Sequence, residues 1–367
     1  MKVNRFSFLL VLLLVLTNLV NAQVYESVRT GSWTQANTWL NGNIPPAQTE
    51  GITIKINEGH TVTFQDNGGN YRYGNNVVFD IEGVVNVNGW GGFRVGNNAE
   101  FLVKGSLRNG QNMTLGQNAS FKIWNSFVVA SVFQTGNNAE FIIYSDGVLR
   151  NTQSFTTGNN AEFQVLGQIV NNGHKFETGN GSNMKIGLEG LFNNTSSFES
   201  GDDFDLVVNG EVRNTGYKFS LGDNASMEIG QEGLFKNTSS FEAGDDFDMF
   251  LNGILDSGNS FKVGVNAYVY IDENGLVTSR EFMSFEDGLV LFIEGELNLL
   301  GNNFVLGADA HIYLLGNIYI ANHWLFKPSS DGNSYFYICN GEESPVNLPK
   351  NSLVVENDCG VLPVELL

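Results

Sequence analysis

Positive charge is scarce in this chain of 367 residues: 19 Lys and Arg stand against 39 Asp and Glu, a formal net charge of −20. That balance argues against nucleic acid, anionic membrane surfaces and unaided binding of uronic-acid polymers, all of which an acidic protein repels. Long apolar runs are missing as well. Beyond residue 22 none approaches the length needed to span a bilayer, so no membrane insertion is expected there. In the repeats described next, no stretch of ten or more residues spaces its apolar positions at i, i+3, i+4 and i+7, which leaves helix without a signal. Cysteine is limited to Cys339 and Cys359. Neither CxxC spacing nor a neighbouring His supports a metal or redox site there. His60 has no second His or Cys at ligand spacing and reads as structural.

What the chain has in quantity is one repeated phrase. It is an aromatic or Met, two residues, a Gly, two small polar residues and then an apolar strand. Units start at Tyr71, Phe93, Met113, Phe133, Phe155, Phe176, Phe198, Phe219, Phe241, Phe261, Met283 and Phe304, in steps of 20 to 22 residues. A fixed period of this size means stacked supersecondary units that cannot bury their apolar faces alone. Within a unit the apolar residues alternate, as in Phe93 and Val95 or Ala99, Phe101 and Val103, which is the period of a strand. Three short strands in about 21 residues make one rung of a parallel β-solenoid. At roughly 3.3 Å per residue its perimeter is near 70 Å, which suits a three-sided coil.

The third residue after each start is Gly in eleven of the twelve units, with Glu286 the exception. Such a Gly fits a corner that needs positive φ or close backbone approach. A second column holds Asn109, Asn151, Asn171, Asn194, Asn214 and Asn237, followed by Ser257 and Ser279. Stacked amides one strand spacing apart can hydrogen-bond along the axis, a structural role. Phe101, Phe141, Phe163, Phe204 and Phe247 are expected to stack inward on one face.

Coil length, inward stacks and the Asn column together resemble the right-handed parallel β-helix family, over about residues 52–326. The resemblance implies an all-β, three-sided solenoid of about twelve coils. It implies little about activity, although the best-known members of that family act on acidic polysaccharides.

In chain order, residues 1–22 read as a secretory signal peptide. Lys2 and Arg5 open it, "FLLVLLLVL" is its apolar core and "VNA" its cleavage site. A secreted protein, extracellular or at the outer cell surface, is therefore expected. Residues 23–51 leave the repeat, and Trp33, Trp39 and Pro45–Pro46 suggest an irregular cap packed on the first rungs. This Trp-rich entry followed by "GHTVTF" is similar to the start of many bacterial cell-surface β-solenoid proteins. Residues 184–210 and 227–253 match at 20 of 27 positions, as a duplicated two-coil block would. After Trp324 the pattern stops, so residues 327–367 read as a C-terminal cap or linker. In an exported chain Cys339 and Cys359 are expected to pair, closing a loop of about twenty residues worth roughly 3 kcal/mol. The final "CGVLPVELL" resembles the lead-in to a type IX secretion sorting domain.

The strongest candidate for chemistry is the corner after the Gly. Asn97–Asn98, Asn137–Asn138 and Asn159–Asn160 give way there to Asp202–Asp203, Asp223–Asn224 and Asp245–Asp246. Carboxylates stacked at about 4.8 Å could share a Ca²⁺ through Asp202, Asp203, Asp223, Asp245 and Asp246. They also stand at spacings that glycoside hydrolysis uses, with Lys218 the nearest cation. The even steps nevertheless leave no long corner insertions to wall a cleft. The expected function is therefore a non-enzymatic adhesive or structural rod binding glycan or matrix, with a polysaccharide lyase or hydrolase using Asp202, Asp223 and Asp245 as the alternative. The outward row Arg94, Thr114, Gln134, Thr156, Glu177 and Glu199 carries no flat Thr array, which argues against ice or mineral binding.

Overall fold

The computed structural model describes residues 23–66, 71–89, 91–301, 303–321, 326–327, 334–339 and 353–356. They form a parallel β-helix of about twelve coils of about 22 residues, whose strands fall into three sheets of 16, 14 and 13 strands. The chain visits the first, second and third sheet in turn and then returns to the first one strand further along. The pairings between strands are parallel, and the antiparallel bridge in the described chain is the isolated pair Ser27 and Trp39. The described helix is confined to two short 3₁₀ turns, Ala36–Thr38 and Leu40–Gly42.

The register copies the repeat residue for residue. Phe93 lies opposite Met113, Met113 opposite Phe133 and Phe133 opposite Phe155, so the unit starts form one inward column of the third sheet. Parallel in-register pairing places like side chains at one strand spacing, and the buried aromatics use it to stack. In the first sheet Phe79, Phe101, Phe121, Phe141 and Phe163 follow one another with centroids 4.5–5.1 Å apart and planes within 8°. Each is almost wholly removed from water. A buried phenyl side chain contributes about 1.5–3 kcal/mol by transfer alone.

Phe204 and Phe247 are buried too, but not in that stack. Pairing of Leu206 with Met184, and of Met184 with Phe163, puts Leu206 in the Phe column and Phe204 two residues earlier. Phe204 and Phe247 occupy the corner column that elsewhere holds Ala99, Ala119, Ala161 and Ala225. Where the corner residue grows from Ala to Phe, its neighbour shrinks from Phe to Leu or Met.

The corner Gly residues answer to close approach rather than to positive φ. A Cβ on Gly201 would lie 2.6 Å from the backbone N of Asn180, and one on Gly158 2.7 Å from that of Asn137. The left-handed residue comes two positions later, as Asn98, Asn138, Asn160, Asp203, Asn224 and Asp246, with φ of 54–58°.

Strands at both ends of the described chain join the sheets. Residues 23–51 are more than a plug: Gln23–Glu26 joins the first sheet beside Ile52–Ile56, and Gly31–Ser32 joins the second. Trp33 and Trp39 pack under this partial coil as expected. Trp33 stacks on Phe64 at 3.8 Å, and the Trp39 Nε1–H donates to the Trp33 carbonyl at 2.8 Å. Beyond Trp324 described strands still add to the first and third sheets. Phe326 pairs with Phe304, Ser334–Ile338 extends the first sheet, and Leu353–Glu356 extends it again. Cys339 follows that penultimate strand, and its backbone N–H donates to Leu314 at 2.8 Å. Cys359 lies outside the described residues, and with it the expected disulfide.

Candidate functional site

Four stacked columns carry the polar and aromatic side chains that are candidates for a site. The acidic corner consists of two of them. In the first, each side-chain oxygen accepts the backbone N–H of the equivalent residue one coil on. Asn75 Oδ1 accepts from Asn97, Asn137 from Asn159, Asn159 from Asn180 and Asn180 from Asp202, at 2.8–3.2 Å. The aspartates continue this ladder. Asp202 Oδ1 accepts from the Asp223 N–H at 3.2 Å, Asp223 from Asp245 at 3.0 Å, and Asp245 from Val265 at 3.0 Å. An Asn oxygen and an Asp oxygen do the same work here, which explains the interchange of the two residues along the edge.

In the second column Asp203 and Asp246 hold the left-handed conformation, which Asn, Asp and Gly accept most readily. Gly181 and Gly288 take the same conformation in neighbouring coils. The amides Asn98, Asn118, Asn138 and Asn160 each donate Nδ2–H to the Oδ1 of the preceding coil at 2.9–3.1 Å, and Asn266 donates to Asp246 at 3.1 Å. The corner is convex and open: Asp203, Asp223, Asp245 and Asp246 are exposed. Among the described residues no three His, Cys, Asp or Glu gather closely enough to hold a metal ion. Lys218 lies away from this edge, paired with Glu242 at 3.0 Å, and its ammonium holds the Glu242 carboxyl below its ordinary range.

The inner Asn column is buried at the corner between the second and third sheets. Asn151 donates to Asn171 Oδ1 at 2.8 Å, Asn171 to Asn194 at 2.6 Å, Asn194 to Asn214 at 2.8 Å and Asn214 to Asn237 at 2.7 Å. Their second Nδ2 hydrogens go to backbone carbonyls of the next coil, among them Lys175, Ser197 and Ser240. Asn109 stands in the same column but outside this chain of bonds. Val129 separates it from Asn151, Val87 lies on its other side, and its Oδ1 has no partner. His60 is structural: its Nδ1 meets the Ser27 hydroxyl at 2.9 Å. A shallow groove of about 260 Å³ beside it is lined by Gly59, Thr61, Glu82 and Gly83.

The fourth column lies on the outer face of the first sheet, and it is what sequence reasoning missed. In the early coils this position reads Lys55, Asp80, Leu102, Lys122 and Ile142. In five later coils it reads Phe250, Tyr270, Phe292, Tyr313 and Tyr337. Beside it run Asp248, Tyr268, Val290, His311 and Tyr335. Phe250 stacks on Tyr270 at 5.1 Å, Phe292 on Tyr313 at 4.5 Å and Tyr313 on Tyr337 at 4.7 Å, with planes within 12°. Between Tyr270 and Phe292 the rings tilt by 45° at 6.4 Å. Phe250 is exposed, Tyr270, Tyr313 and Tyr337 are half-buried, and Phe292 is buried. His311 Nδ1 lies 3.2 Å from the Tyr337 hydroxyl. Burial pushes the phenols of Tyr268, Tyr270 and Tyr313 up, and the hydrogen bond to Glu294 adds to this at Tyr270. Burial, with the Asp246 carboxylate next, also pushes Asp248 up. The available signal was an aromatic third residue in "DMFL", "YVYI", "VLFI", "HIYL" and "YFYI", which becomes visible only when the strands of successive coils are aligned.

Comparison with protein-family models, with curated proteins and with solved structures finds no match to this chain.

Proposed function

We propose that this chain is an exported, non-enzymatic rod of the cell surface that displays its outer faces to glycan or matrix. The observation that carries this reading is the unbroken register of the coils. Each of the three sheets pairs strand to strand from the first coil to the last. The candidate carboxylates stand on a convex edge, with their oxygens engaged in holding the next coil. Hydrolysis of a glycosidic bond needs a carboxyl group on each side of the substrate, which a convex edge does not offer. The amino-terminal apolar segment supports export, and the acidic surface favours a neutral ligand over a polyanion.

The test is to purify residues 23–367 and screen them on a glycan array, with Ca²⁺ and with chelator, alongside surface labelling of intact cells. Retained glycan and labelling at the surface are the expected results. Release of new reducing ends or unsaturated products from any polysaccharide would overturn the reading in favour of an enzyme.

A further inference from the structure

The outer strip of the first sheet from Phe250 to Tyr337 differs in kind from the other outward columns. Five successive coils place an aromatic ring at the same position, of which Phe292 is buried between its neighbours, and the parallel column adds Tyr268, His311 and Tyr335. Phe250, which stacks on Tyr270, is 44% exposed. No Lys or Arg occurs in either column over these coils, while Asp248 lies within the strip and Glu294 bonds Tyr270 at its edge.

We propose that this strip binds a linear, uncharged polysaccharide laid along the rod axis. The proposal rests on the reading of the chain as a glycan-displaying rod and names the site and ligand class. Its first support is charge. A strip with carboxylates and no cation repels uronates, sulfated glycans, nucleic acid and anionic lipid alike. Its second is chemistry. A phenol hydroxyl both donates and accepts, as the hydroxyls of a sugar do, and Tyr268 and Tyr313 bring two to the strip. The rings are rigid and amphipathic, giving contact area at low entropic cost. Ring edges meet sugar oxygens, and the exposed ring of Phe250 meets the apolar face of a pyranose.

The third support is periodicity. The strip repeats its contact once per coil, about 4.8 Å. An extended chain of equatorially linked sugars advances by a similar distance per ring, so successive sugars find the same partner. A globular protein surface does not repeat on that spacing, although a second copy of this solenoid does. Each added ring then adds binding without a new translational cost.

The experiment titrates residues 23–367 with β-1,4-linked gluco-oligosaccharides of increasing length, with polygalacturonate as the charged comparison. Affinity is expected to climb with added sugars and level off near five, the number of coils in the strip. Phe250→Ala and Tyr313→Ala should each weaken binding by about tenfold. Tyr313→Phe, which keeps the ring, should lose less, and Thr156→Ala on the third sheet should change nothing. Circular dichroism and melting establish that each variant is folded. Binding that survives both alanine variants, or ignores chain length, would overturn the strip while leaving a glycan-binding rod intact. Absence of binding to any glycan removes both readings. Self-association that Phe250→Ala abolishes would assign the strip to contact between copies instead.

Discussion

Asn109 and Asn151 belong to one buried column, yet no hydrogen bond joins them, because the coil between them presents Val129. The same residue type therefore has opposite energetic weight at two places in one column. Asn194 is bonded on both sides, to Asn171 and Asn214. Asn194→Val leaves a donor, an amide oxygen and the Lys218 carbonyl unpaired, which should cost about 2–4 kcal/mol. Asn109→Val removes an oxygen already without a partner and one Nδ2–H bond to the Val132 carbonyl, which still accepts from the Met113 N–H, so it should stay within about 1 kcal/mol of the parent. Chemical denaturation of the two variants side by side checks the contrast.

Asp248 gives a pH signature. Burial raises its pKa, with the Asp246 carboxylate second, so the folded state binds its proton more tightly than the unfolded chain does. Its contribution to stability is full below the unfolded carboxyl range and is lost as pH rises through the folded value. Asp248→Asn should therefore raise the melting midpoint at neutral pH, and the gain should vanish in acid. A constant gain across pH would point to packing rather than charge.

The acidic edge separates a hydrogen-bond ladder from a cation site. An Asn oxygen at 223 and 245 still accepts the next backbone N–H, and it removes repulsion of about 1 kcal/mol per adjacent pair of carboxylates. The double variant Asp223→Asn, Asp245→Asn should melt at or above the parent midpoint, and chelator should shift neither protein. A chelator-dependent fall in the parent alone would assign Ca²⁺ to Asp202, Asp203, Asp223, Asp245 and Asp246. Midpoints rather than free energies are compared, since long repeat arrays need not melt in two states.

Gly201 tests close approach. Its Cβ would meet the Asn180 backbone N at 2.6 Å and the Gly179 carbonyl carbon at 2.8 Å, and backbone atoms cannot step aside. Gly201→Ala should cost about 1–3 kcal/mol. Hydrogen exchange should place the loss in the coils around residue 201, because each repeat contacts only its neighbours.

The last two strands of the first sheet, Ser334–Ile338 and Leu353–Glu356, pair directly, and Cys339 and Cys359 follow them by one and three residues. Exported protein should show no thiol reactive with a maleimide until it is reduced. Two reactive thiols would remove the disulfide.

The sequence by itself determined the fold. An alternating apolar pattern returning every 20 to 22 residues leaves stacked parallel coils as the arrangement that buries every inward side chain. The observed register follows the twelve unit starts, from Tyr71 beside Phe93 to Met283 beside Phe304. Tertiary structure decided what varies within the period. The corner that takes positive φ falls on Asp203 rather than Gly201, because the tight contact and the left-handed turn are two residues apart. The steps between like positions also vary with corner length, so a ladder such as Asn151 to Asn237, or a gap such as Val129, exists only once the coils are aligned. The aromatic strip is the extreme case. Phe250 and Tyr337 are distant in sequence, and they share one surface because five coils bring outward residues of separate strands within a ring diameter of each other.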